Sequence, residues 1–263
     1  MSQDKPIYQH LRSLRMPTAV EVVEELLGTA QREDWGLETF LEELLAQEIE
    51  GRRQRRIERL QRAAHLPAGK TLAEFDQDHL PLRLRRQLAE LCTGEFVDRT
   101  ENLLIFGLPG RGKSHFAAAV GHALVQRGRS VLFTPTFRLV DGLLRAKRDL
   151  LLEHELRHLD RFDVLILDDI GYVQQSRDEM EVLFTLLAER YERRSVVITS
   201  NLVFSQWEKI FKDPMTTAAA IDRVVHHSII VEFGKEMKSH RAEQAAQRVL
   251  QDPPFDEPVL TVS

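Results

Sequence analysis

The segment Gly107-Leu108-Pro109-Gly110-Arg111-Gly112-Lys113-Ser114 places glycines, a lysine and a hydroxyl at the G-x-x-x-x-G-K-S spacing. That spacing suits one task. A chain of phosphates must be wrapped by backbone N–H groups, and glycine lets the chain turn tightly and come close. A helix opening at Lys113 aims the positive end of its dipole at the anion. Lys113 then reaches the β- and γ-phosphates, and the Ser114 hydroxyl can hold Mg²⁺.

A second acidic motif follows. Val164-Leu165-Ile166-Leu167-Asp168-Asp169 is an apolar run that ends in two carboxylates. It reads as a buried strand that delivers Asp168 to the Mg²⁺ shell and Asp169 to the attacking water. The alternative is a pair of aspartates capping the next turn. Ile198-Thr199-Ser200-Asn201 ends another apolar run, so Asn201 either positions water against a γ-phosphate or forms a turn. Arg223, in AAAIDRVVHH, either acts in trans on a neighbouring subunit's nucleotide or forms a surface ion pair. His226 and His227 are adjacent rather than four apart, which disfavours a metal pair.

Elements must hold these groups in place. NLLIFG, SVLFT, DVLILDD, SVVITSN and IIVEF read as short buried strands, and helical stretches alternate with them. One helix runs from the P-loop to Gly128, residues 137–158 read as helical, and another spans Met180 to Tyr191. This alternation predicts an α/β fold with a parallel sheet. Residues 7–63 read as helical, with Gly36 separating two apolar patterns and Thr18 as the expected cap of the helix after Pro17, paired with Glu21. The expected organisation is a helical region at 1–65, an ATPase domain at 66–250 opening with the linker LPAGKTLAEFD, and a loose tail at 251–263.

Charge is unevenly distributed. Net charge is −5. Residues 1–50 hold four basic residues against eleven acids, whereas residues 51–70 hold Arg52, Arg53, Arg55, Arg56, Arg59, Arg62 and Lys70 against Glu58. Such a block either contacts a polyanion or pairs with the preceding acids on a solvated face. The single cysteine, Cys92, excludes a disulfide framework within the chain. With no apolar signal segment and no membrane-length apolar stretch, a cytoplasmic setting is expected.

In order, the helical N-terminus, the arginine block, LPAGKTLAEFD, FVDRTENLLIFGLPGRGKSH, DVLILDDIGY, ITSN and AAIDRVVHHS resemble the IstB-type transposition helper ATPases. These are relatives of the DnaC helicase loader within the AAA+ initiator clade. The resemblance spans about residues 7–250. It implies an AAA+ P-loop core whose five-stranded parallel sheet has the order 5-1-4-3-2. It also implies a homo-oligomer with ATP and Mg²⁺ at subunit interfaces. The nucleotide-binding residues are then Gly107, Pro109, Gly110, Arg111, Gly112, Lys113, Ser114 and His115, with Phe75 near the adenine. Ser114 and Asp168 hold the metal, Asn201 matches the sensor position, and Arg223 matches the arginine finger. Arg241 is the candidate for a second sensor.

The helices after the second strand match an insertion that faces nucleic acid and here carries Arg138, Arg145, Lys147 and Arg148. Arg52, Arg53, Arg55 and Arg56 are further candidates for phosphate contact. The implied activity is ATP-dependent assembly on duplex DNA, recruitment of a transposase, and disassembly on hydrolysis. The rivals are a helicase loader on single-stranded DNA and a nucleotide-binding scaffold with negligible turnover. Two departures bear on rate and affinity: Arg111 stands where a small residue or threonine is common, and Asp169 stands where most AAA+ proteins use Glu. An aspartate, one methylene shorter, implies slow hydrolysis.

Overall fold

A computed structural model describes residues 5–78, 80–170, 176–202 and 224–234. The chain divides into two compact units, Met1–Arg62 and Ala63–Ser263.

The first unit contains α1 (Pro6–Ser13), α2 (Pro17–Arg32) and all but the last residue of α3 (Leu37–Ala63). Prolines at the first positions of α1 and α2 have no N–H to leave unsatisfied there. Tyr8, Leu11, Ala19, Val23 and Leu44 form its core, with Met16, Val20, Leu26 and Phe40 packed around them. Gly51 lets α3 pass close to Thr18, because a Cβ there would collide with the Thr18 side chain.

Thr18 does not cap α2. The N-cap is Met16 and it makes no side-chain cap bond. Instead Glu48, on α3 and 2% exposed, accepts the Ala19 N–H at 3.0 Å. Thr18 Oγ1 accepts a hydrogen bond from Arg55 at 2.7 Å. Tertiary packing placed a carboxylate at the orphan donors, so the local capping box was not needed. Burial alone would raise the Glu48 pKa. Hydrogen bonds from Arg52 and the Ala19 N–H, with the charges of Arg52 and Arg55, more than reverse this and hold it below the usual carboxylate value of 4.5.

Because the folded value is depressed, the stabilisation is fully present above pH 4.5 and is lost as pH falls through the folded pKa. Glu48→Ala should destabilise the N-terminal unit by about 1–3 kcal/mol, with the deficit shrinking under acid. Denaturant titrations monitored at Trp35 at neutral and acidic pH test this. Equal stability of the two proteins at pH 7 would refute it.

The second unit opens with the linker and two helices unforeseen from the sequence, α4 (Leu82–Leu91) and α5 (Glu95–Asp98). Leu84, Leu88 and Leu91 of α4 are buried, an i, i+4, i+7 pattern that was open to reading. The sheet comprises β1 (Asn102–Gly107), β2 (Val131–Pro135), β3 (Val164–Asp168), β4 (Ser195–Ser200) and β5 (Ser228–Phe233), in the order β2-β3-β4-β1-β5. Every pairing is parallel, so the expected 5-1-4-3-2 order is found.

On one face, α6 (Lys113–Gln126) packs against β1, β3 and β4. Gly121 permits this approach: a Cβ there would come within 2.7 Å of Leu66 and 2.8 Å of Ile166. On the other face, α7 (Thr136–Arg148) and α9 (Arg177–Arg190) cover Leu104, Phe106, Leu165, Leu167, Val196 and Ile198. The stretch read as helical over 137–158 is two helices, α7 and α8 (Leu152–Leu159), broken where Leu150 takes a φ of 58°. No glycine or proline announces that break.

Candidate functional site

In an open parallel sheet a ligand sits beyond the carboxyl ends of the strands, where the connections part to opposite sides. Here β1 leads outward to β2, while β4 returns between β3 and β1. The strand ends therefore bring the P-loop, Asp168 and Asn201 to one edge, although they are far apart in sequence.

The loop has the geometry that phosphate wrapping requires. Gly110 and Gly112 have φ of 78° and 93°, in the left-handed region, and Gly112 leads directly into α6. Gly107 has φ of 154°, and a Cβ on it would lie 2.6 Å from the Phe233 Cβ. Lys113 is 8% exposed, and its Nζ donates to the Leu108 carbonyl at 3.0 Å, inside the loop. Ser114 and His115 form the first turn of α6 and are half-buried, while Pro109 is exposed on the outer side of the turn. These features fit a polyphosphate: left-handed glycines, a helix N-terminus and a buried ammonium converge on one small volume.

Phe75 is brought to the same place. Its ring meets His115 edge-on at 4.7 Å, and its Cε2 lies 3.7 Å from where a Gly112 Cβ would be. The linker is pinned along α6 by His115 Nε2 to the Thr71 carbonyl and His122 Nε2 to the Pro67 carbonyl, each 3.2 Å.

The acidic side is organised by Thr199, which sequence reasoning passed over within ITSN. Its hydroxyl donates to Asp168 Oδ1 at 2.6 Å and accepts the Asp169 N–H at 2.8 Å. The Ile170 N–H reaches the Thr199 carbonyl at 3.0 Å. Asp169 leaves β3 with φ of 62°, a left-handed turn that aspartate tolerates. Asn201 lies just past β4, and its Oδ1 is enclosed without a hydrogen-bond partner among the described residues, which marks a place for a polar group or water. Arg223 and Arg241 lie outside the described residues.

Thr136, the first residue of α7, donates from its hydroxyl to the Asp168 carbonyl at 3.0 Å. The helix carrying Arg138, Arg145, Lys147 and Arg148 is thus bonded to the strand that carries the acidic pair. Arg138 and Arg148 are exposed, with Arg138 lying 5.8 Å above the ring of exposed Phe137. Arg145 pairs with Asp141, and Lys147 pairs with Glu181 at 2.9 Å.

The sheet order and the loop define the class: a P-loop nucleotide-binding protein with the AAA+ arrangement of strands. Residues 9–247 match the model of the family described as IstB-like ATP binding protein. An insertion sequence ATP-binding protein of Sinorhizobium fredii is 44% identical over 239 residues, covering 90% of this chain and 80% of that protein. The chain belongs to the IstB-like ATP-binding family. Among solved structures, DnaI superposes with a TM-score of 0.54 at 20% identity, over 65% of this chain and 96% of that one. AMPPCP-bound DnaA from Aquifex aeolicus gives 0.53 at 17%, over 71% of this chain and 56% of that one, and both likenesses bear on the fold alone. Among the described residues, no helix is long and apolar enough to cross a membrane.

Proposed function

We propose that this protein is an ATP-hydrolysing, DNA-binding helper of transposition that works in the cytoplasm. The observation that supports this most is the convergence of the P-loop, Asp168–Asp169 and Asn201 on one sheet edge, in a chain whose relatives are insertion sequence ATP-binding proteins. In this reading Lys113 holds the β- and γ-phosphates and the loop N–H groups hold the remaining oxygens. Ser114 and Asp168 hold Mg²⁺, which when bound neutralises charge on those oxygens. Asp169 takes a proton from the attacking water and Asn201 orients that water. Arg223 of one subunit reaches the nucleotide of the next.

Exposed Arg138 and Arg148 contact duplex phosphates without reading bases. The Thr136–Asp168 bond ties their helix to the state of the nucleotide. Subunits then assemble on duplex DNA with ATP, deform it and recruit a transposase. Hydrolysis dismantles the array. The domain division proposed is a helical region to residue 65, the ATPase domain to 250 and a tail beyond.

The test is assembly on a long duplex or a single strand, with ATP, ADP or a non-hydrolysable analogue, followed by light scattering and electron microscopy. Large complexes on duplex that require the triphosphate are expected. Assembly on single strands alone would replace this reading with a helicase loader. Assembly without phosphate release, with or without DNA, would reduce the protein to a nucleotide-binding scaffold.

A further inference from the structure

The N-terminal unit carries a groove of about 420 Å³ lined by Arg12, Arg15, Met16, Pro17, Arg52 and Arg55. Its volume falls in the range of small-ligand sites. Four guanidiniums meet there, and Glu48 accepts from two of them, Arg52 and Arg55.

Two of the four are locked in place. Arg52 commits Nε to Glu48 Oε1 at 2.8 Å and Nη2 to the Arg15 carbonyl at 3.0 Å. Arg55 commits Nη2 to the same Glu48 oxygen at 3.2 Å and Nη1 to Thr18 at 2.7 Å. Each guanidinium has five N–H donors, so both keep donors beyond these bonds. Glu48 is buried and Arg52 and Arg55 are about half exposed, so the carboxylate works from behind while the arginines reach solvent. The Arg15 backbone, at φ of 54°, turns the chain between α1 and α2, and Arg12 and Arg15 complete the lining. A fork fixed in advance loses little entropy on gripping a planar or tetrahedral oxyanion.

The groove also opens onto a rail. Beyond Arg52, the exposed residues Arg53, Arg56, Arg59 and Arg62 continue along α3; Arg53 pairs with Glu50 at 3.4 Å and Arg62 with Glu58 at 3.7 Å, exposed pairs that a phosphate can displace. At 1.5 Å rise per residue, Arg52 to Arg62 covers about 15 Å, roughly four base-pair steps along one strand. An acidic peptide would need only the groove. A linear run of cations continuing from it matches the regular charge of a nucleic-acid backbone.

We infer that this arginine groove is a binding site for a backbone phosphodiester of duplex DNA, giving the N-terminal unit a DNA contact of its own that needs no nucleotide. This rests on the DNA-binding reading above.

The experiment uses the full chain, a labelled 30-bp duplex and a salt titration without nucleotide. Arg12→Gln/Arg15→Gln removes two groove charges and leaves the Glu48 bonds in place. Lys5→Gln/Arg32→Gln removes the same charge elsewhere on the unit. The groove variant should bind roughly tenfold more weakly at low salt, with a salt slope shallower by about 2, one for each lost phosphate contact. The control variant should stay within about twofold of the parent, and ATP affinity should be unchanged in both.

Equal losses in the two variants, or none in the groove variant, overturns the groove while leaving the DNA reading intact. Failure of the parent protein to bind duplex even with an ATP analogue overturns both. A groove variant that keeps its DNA slope but no longer binds a poly-glutamate peptide reassigns the groove to an acidic protein partner.

Discussion

Lys113→Ala should lose at least about 100-fold in ATP affinity. The ammonium is already held inside the loop by the Leu108 carbonyl, so it is positioned for the phosphates before any nucleotide arrives. Two charge-assisted hydrogen bonds at about 1.5–3 kcal/mol each set the scale, since 1.4 kcal/mol is tenfold in affinity. Truncation should leave the fold nearly intact, because the glycine geometry of the loop and the packing of α6 do not depend on this side chain. Fluorescent-nucleotide titration, with thermal unfolding as the control, measures both effects. An affinity within threefold of the parent would show that the phosphates are held elsewhere. The same variant should fail to assemble on duplex DNA with ATP, separating nucleotide-driven assembly from the nucleotide-independent contact inferred for the arginine groove.

The second large effect concerns a residue with no place in the chemistry. Arg190, 1% exposed at the end of α9, donates to four backbone carbonyls: Leu159 at 3.0 Å, Phe162 at 2.9 Å, Asp163 at 3.3 Å and Ser195 at 3.1 Å. Leu159 closes α8, where the helix dipole favours a cation, and the other three lead into β3 and β4. Burial lowers the guanidinium pKa to about 10, against the pull of Asp160 and Asp163, and it stays charged at neutral pH. Arg190→Ala would leave these carbonyls unsatisfied around a cavity, at a cost of about 3–5 kcal/mol. Arg190→Lys should recover only part of this, because one ammonium cannot reach the positions of a planar fork. Chemical denaturation measures the loss. Arg190 sits at the amino ends of β3 and β4, opposite the nucleotide edge, so the folded variant should keep its ATP affinity. Stability unchanged by truncation would refute the structural role.

Arginine thus serves two purposes here that charge counting cannot separate. Arg52 and Arg55 lie in the basic block of α3, yet both are tied to a buried glutamate. Arg53 and Arg56 occupy the same block with exposed side chains, and Arg53 forms only a solvent-exposed pair with Glu50 at 3.4 Å. On α7, Arg145 and Lys147 are engaged with acids, whereas Arg138 and Arg148 stand exposed. At the ion-pair distances seen, exposed pairs of this kind are worth at most about 1 kcal/mol, so a DNA phosphate can compete for them.

The sequence alone determined the glycine loop ahead of α6, because its geometry is local: the left-handed glycines and the lysine that opens the helix are near-neighbours in the chain. It also determined the central strands, because β1, β3 and β4 are buried along nearly their whole length and so must be apolar runs, and NLLIFG matches β1 residue for residue; the edge strands β2 and β5 are only partly buried. The strand order followed from family resemblance rather than from any local pattern. Tertiary structure decided what depends on distant partners. Glu48 became the cap of α2 from another helix, Thr199 became the link between β4 and the acids of β3, and Arg190 became a buried clamp. Asn102, which read as the first residue of a strand, uses its side chain to tie β1 to its neighbours: Oδ1 accepts the Val196 N–H at 2.9 Å and Nδ2 donates to the Val224 carbonyl at 3.4 Å. A polar side chain in the sequence carries no mark of whether it will meet water or a buried backbone group. Only the packing that removes water makes that choice, and the large cost of leaving such a group unpaired then fixes its partner.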